Sequence, residues 1–90
     1  MREFVGEHYL PTQDAEATGH CAKAARVAAD QLRREGVQVR HVCSILIPQD
    51  ETCIHLYRAD SIDTVQVAAA RASLRLDRLA EAVSSTGVAA

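Results

Sequence analysis

Residues 2–10, REFVGEHYL, mix apolar and polar positions in near-alternation and stop at Pro11. That pattern predicts a strand closed by a residue that cannot donate to a ladder. A polar, small stretch follows, with Asp14 as a candidate helix cap. From Ala15 to Glu35 the period changes. Ala17, Cys21, Ala24, Ala25, Ala28 and Leu32 recur at three- and four-residue spacing, with Lys23, Arg26, Asp30 and Arg33 on the opposite side. Gly36 stands where a left-handed cap ends such a helix.

The β-branched, alternating run 37–47, VQVRHVCSILI, predicts a second strand; PQDE is a turn and TCIHLYRA a third strand. Asp60-Ser61 offers a cap to a second helix with Ile62, Val65, Ala69 and Ala72 as its apolar stripe. The segment 76–83 fits either a helix end, through Leu79 and Val83, or a fourth strand that tolerates Glu81. The order is β-α-β-β-α-β, which predicts an α+β ferredoxin-like sandwich: an antiparallel sheet with both helices on one face. The expected unit is one domain over 1–83 with a flexible tail at 84–90, and the first strand is expected beside the third, parallel to it.

Composition alters this picture in one respect. The chain is 48% hydrophobic but only 3% aromatic, so its core is built from Ala, Val, Ile and Leu. Ninety residues bury roughly 60–65% of their unfolded surface, so an aromatic-poor domain of this size gains from pairing its open sheet face with a second copy. A homodimer is expected. Ten Lys+Arg against twelve Asp+Glu leave a net charge of −2 and no basic field for nucleic acid. Arg33, Arg34 and Arg40 are read as a solvated face. No apolar run nears the roughly 20 residues of a membrane span. The opening MREFVGEHYL lacks a secretory h-region, and three cysteines without a Cys-x-x-Cys pair fit reduced thiols in the cytoplasm.

Tyr9-Leu10-Pro11, the PQDETC turn and the Tyr57-Arg58-Ala59-Asp60-Ser61 junction resemble a family of small actinobacterial proteins that carry a domain of unknown function. Some members of that family are described as nickel-binding. The resemblance spans about residues 3–83 and implies a ferredoxin-like dimer with a transition-metal site.

Side-chain placement depends on one hairpin. If Ile47 pairs with Thr52, then Ile45 faces Ile54 and Cys43 faces Leu56. His41, Cys43, Ile45, Ile54 and Leu56 are then expected beneath the helices. Ser44, Cys53, His55 and Tyr57 are expected on the open face. A one-residue slip would gather His41, Cys43, Cys53, His55 and Tyr57 instead, but it would push Ile54 and Leu56 out of the core and is disfavoured. Either Glu7 or His8 joins the open face from the first strand. Imidazole, thiolate and carboxylate suit nickel or zinc, so Glu7, His8, Cys53 and His55 are the candidate metal ligands, with Ser44 and Tyr57 lining a ligand pocket. The expected function is a small binding protein that holds a transition-metal ion or small ligand at the open face of a dimer. Two alternatives stay open. One is a small-molecule enzyme of the dimeric α+β barrel type, with Glu7, His8 or His55 as base; the other is a structural dimerisation module. His20 is expected to be solvated and Cys21 to belong to the helix stripe.

Overall fold

The computed structural model describes residues 1–11 and 15–85. The elements are β1 (Arg2–Tyr9), α1 (Ala15–Arg34), β2 (Val39–Ile47), a 3-10 turn at Pro48–Asp50, β3 (Thr52–Ala59), α2 (Ile62–Arg71) and β4 (Arg78–Ala82). They form an α+β fold with one sheet in the order β2-β3-β1-β4, antiparallel throughout. This arrangement is consistent with the ferredoxin-like expectation. β1 lies beside β3 as expected, but antiparallel rather than parallel. The hairpin reverses the chain once and each crossover helix returns it to the starting end, so neighbours in this order must run in opposite senses.

Local signals set the element ends. Gly36 sits at φ +90, a conformation open to glycine at little cost, and Val37 N–H closes onto the Leu32 carbonyl. Ser61 caps α2 by accepting from the Thr64 N–H at 3.3 Å. The Asp14 cap lies outside the described residues. Residues 78–82 of the ambiguous segment are a strand. There Glu81 is tolerated because Arg2 forms a forked pair with it, at 2.8 and 2.9 Å. Of the tail, Ser84 is tied to the Glu3 carboxylate through its hydroxyl and its N–H, and residues 86–90 lie outside the described residues.

Both helices cover one face of the sheet. Ala25, Ala29 and Leu32 of α1 and Val65 and Ala68 of α2 share a core with Phe4, Val39, Tyr57 and Ala59. The hairpin pairing is the expected one, with Ile47 opposite Thr52, Ile45 opposite Ile54 and Cys43 opposite Leu56. Its facing is the reverse of the expectation. Cys53, His55, Tyr57 and Ala59 are fully buried, whereas Ile54 and Leu56 are half-buried and Ile45 is 51% exposed. Pairing alone fixes which residues share a face, not which face the helices choose.

β1 decides that choice. Its alternation sets Glu3, Val5 and Glu7 against Phe4, Gly6 and His8, and the two carboxylates cannot go under an apolar helix layer. Phe4 pairs with Tyr57 and His8 with Cys53, so those β3 side chains follow them inward. A Cβ at Gly6 would stand 2.8 Å from Leu76 Cδ1, which packs directly over that position.

β2 carries a bulge between His41 and Cys43. On its hairpin side, Ser44 and Leu46 pair with the inward His55 and Cys53, so Cys43 points to the open face instead of beneath the helices. On the other side, the extra residue Val42 resets the alternation, and His41 pairs with the inward Tyr57. His41 and Ser44, three positions apart, therefore share the covered face.

Candidate metal centre

His8, Cys53 and His55 meet between β1 and β3 beneath the helix layer. His8 stands opposite Cys53, and His55 is opposite Gly6, one diagonal step away and within reach of long side chains. The His8 and His55 Nε2 atoms are 2.9 Å apart, with ring centroids 5.0 Å apart and planes inclined by only 5°. Cys53 Sγ lies 3.7 Å from His55 Nε2. All three residues are buried, and one donor atom from each falls within 4.8 Å of the others.

A second layer extends from the far side of His55. Its Nδ1 is 2.6 Å from Ser44 Oγ, and Ser44 Oγ is 3.0 Å from His41 Nε2. These contacts constrain the tautomers. For both Nε2 atoms to offer lone pairs to a cation, His55 must carry its proton on Nδ1. That N–H then donates to Ser44 Oγ, and the Ser44 hydroxyl donates to His41 Nε2. His41 keeps its proton on Nδ1, which is buried without a partner among the described residues. Without a cation, one of the facing Nε2 atoms carries a proton and donates it to the other.

Burial governs the charge states. It pushes His55 down to about 4, with His8 and His41 adding to the effect, and pushes His41 down to about 4 with help from Arg26. Burial also raises the Cys53 thiol, and Cys21 of α1 raises it further. At neutral pH His55 and His41 are therefore uncharged and the Cys53 thiol keeps its proton. No hydrogen bond or charge in this set activates Cys53 as a nucleophile, which needs a lowered thiol pKa.

The candidate ligands divide between the two faces. His8, Cys53 and His55 come together, and Ser44 touches His55. Glu7 does not join them: strand alternation puts it on the open face, opposite Ile54 and Arg78. The cluster lies on the covered face, not the open one. Tyr57 lines no open-face pocket; it is a core residue whose ring meets His41 edge-on at 5.4 Å. His20 is exposed on α1, beside Glu16. His41 lies beneath the helices as expected, but the sequence alone gives no sign of its link to His55 through Ser44. The bulge that creates this link has no glycine to mark it in the sequence.

No protein-family model matches this chain, and no curated protein sequence does. Among solved structures the chain is similar to the crystal structure of SCO4226 from Streptomyces coelicolor A3(2). The TM-score is 0.71 at 21% sequence identity, over 93% of this chain and 99% of the other. At that identity the likeness is one of fold.

Proposed function

We propose that this protein binds a transition-metal ion of the nickel or zinc class through His8 Nε2, His55 Nε2 and Cys53 Sγ. The observation that carries this reading is the approach of two imidazole nitrogens to 2.9 Å with a thiol 3.7 Å from one of them, all buried. Metal–nitrogen bonds of about 2.0–2.1 Å and a metal–sulfur bond of about 2.3 Å can bridge both separations at one ion. Two imidazoles and a thiolate form a borderline-soft set that suits nickel, zinc or copper better than magnesium or calcium. Ser44 supplies the outer-shell contact that orients a ligating histidine. Cys53 binds as thiolate, so uptake releases a proton and affinity falls as pH falls.

The assembly we propose is a homodimer of ferredoxin-like domains joined through the open faces. Cys43, Ile45, Ile47, Ile54, Leu56 and Val5 leave that face apolar, more so than expected, because the histidines and Cys53 have gone to the other side. The metal cluster is therefore complete within one chain. Among the described residues all three cysteines are free, which fits a reducing cytoplasm, and no helix is long and apolar enough to cross a membrane. The enzyme reading has less support, since the open face retains Glu7 but neither His55 nor Cys53.

Metal analysis and calorimetry on untagged protein test the proposal. The expected result is one nickel or zinc ion per chain, with binding lost in His55→Gln and Cys53→Ser and unchanged in His20→Gln. Equal uptake by the wild type and both cluster variants would overturn it.

A further inference from the structure

A pocket of about 420 Å³ opens beside the β2 bulge, lined by Arg26, Asp30 and Arg33 of α1, Arg40, His41 and Val42 of β2, and Arg58 of β3. Four arginines and one aspartate line it, Arg40 and Arg58 from the open side of the sheet edge and the rest from α1. Arg33 is committed to Asp30, and also donates to the Val39 carbonyl at 3.1 Å. Arg58 leans toward Glu3 at 3.5 Å. Among the described residues Arg26 and Arg40 make no ion pair. Two positive charges are thus left uncompensated.

The strand pairing sharpens the point. Arg40 and Arg58 are directly opposite each other on β2 and β3, and like charges in that position destabilise a sheet. Arg26 and Arg33 of α1 add a third and a fourth guanidinium to the same pocket, and an anion there turns the repulsion among them into charge-assisted hydrogen bonds. Behind the arginines His41 forms part of the wall, 95% buried by its 5% exposure, with an unsatisfied Nδ1.

We infer that this pocket binds the phosphate group of a small molecule. The charge count selects the ligand: two uncompensated guanidinium groups match a phosphate, which carries about −1.5 to −2 at pH 7, better than a single carboxylate. Planar guanidinium forks suit its oxygens. An extended nucleic acid is a poor match, because the chain is acidic overall and has no aromatic residue at the pocket on which a base could stack. The inference is independent of the metal reading, and its test uses metal-free protein.

The experiment is titration of chelator-treated full-length protein with inorganic phosphate, followed by NMR amide shifts and calorimetry, with acetate as the monoanion. Saturable shifts are expected at Arg40, His41 and Val42, with phosphate tighter than acetate. Arg26→Gln and Arg40→Gln should each weaken phosphate by about tenfold or more, the scale of one hydrogen bond to a charged group. Arg75→Gln makes the same charge change outside the pocket and should leave binding unaltered. The inference is overturned if phosphate produces no saturable shifts, if acetate binds as tightly, if Arg75→Gln weakens binding as much as the pocket variants, or if an oligonucleotide binds where the free ion does not. Thermal melts of each variant confirm that a loss reflects the pocket and not unfolding.

Discussion

His8 and His55 hold their Nε2 atoms 2.9 Å apart across β1 and β3, with ring planes 5° from parallel. Two neutral imidazoles can share only one proton across that gap. A cation can replace the proton only if His55 moves its own hydrogen to Nδ1, where Ser44 accepts it at 2.6 Å. In the proposed metal site Ser44 would therefore be a positioning residue, holding the His55 tautomer without touching the ion.

Ser44→Ala is expected to weaken nickel or zinc binding about 10–100-fold, the usual cost of losing an outer-shell partner. Ser44→Thr, which keeps the hydroxyl, should restore most of it. Calorimetry on the three proteins checks this. Unchanged affinity in Ser44→Ala would remove Ser44 from the tautomer argument.

Acid should destabilise the metal-free fold in a defined window. His41 and His55 are held down to about 4 by burial, against an ordinary value of 6.5. Between those limits the unfolded chain binds more protons than the folded one, so stability is complete above about 6.5 and falls as pH drops toward 4. The loss should approach roughly 3 kcal/mol for each imidazole. Urea unfolding from pH 7.5 to 4 measures it, and a midpoint that does not move would contradict it. In His41→Phe the dependence should flatten.

Tyr57 offers a test of opposite sign. Its hydroxyl is buried with no partner among the described residues, and burial alone pushes it up to about 12. An unsatisfied buried hydroxyl costs about 1–3 kcal/mol. Tyr57→Phe should therefore stabilise the protein by about 1 kcal/mol in urea unfolding. Destabilisation by that amount would show that the hydroxyl is satisfied in solution.

The open face predicts an assembly. Wild-type protein should scatter as twice its 9.8 kDa chain mass. Ile45→Lys, placing a charge where the native side chain is 51% exposed, should give single chains that still take up metal. Single chains of the wild type at micromolar concentration would rule out the dimer. A variant that loses metal together with its partner would place part of the site across the interface.

Most elements were legible because their signals are local: alternation in the strands, the small-residue stripe of α1, Gly36, and Ser61 before α2. The hairpin register was legible too, since the turn fixed Ile47 opposite Thr52. Facing was not, because the alternation of β3 by itself favours the wrong face. Ile54 and Leu56 look more core-like than Cys53 and His55, but β1 holds the stronger constraint in Glu3 and Glu7. Arg58 on the Ile54 side and Ala59 on the His55 side carry the same information. Three of the four candidate residues thus come together, His8, Cys53 and His55, but on the face opposite to the expected one, and Glu7 is the residue that this inversion displaces.

The extra residue at Val42 makes β2 two half-strands of opposite parity. Drawing that residue into the ladder opposite Tyr57 would slip the Val39–His41 side by one position, so that each of its side chains changes face while Cys43 and Ser44 stay put. His41 would leave its contact with Ser44, and Arg40 would be driven toward Leu32 and Ala59. That slip, without altering any ligand, would unwire the imidazole chain and dismantle the arginine pocket together. Deleting Val42 would do neither, because His41 would still pair with Tyr57 and Cys43 with Leu56. Both sites depend on one residue of the edge strand staying out of the ladder.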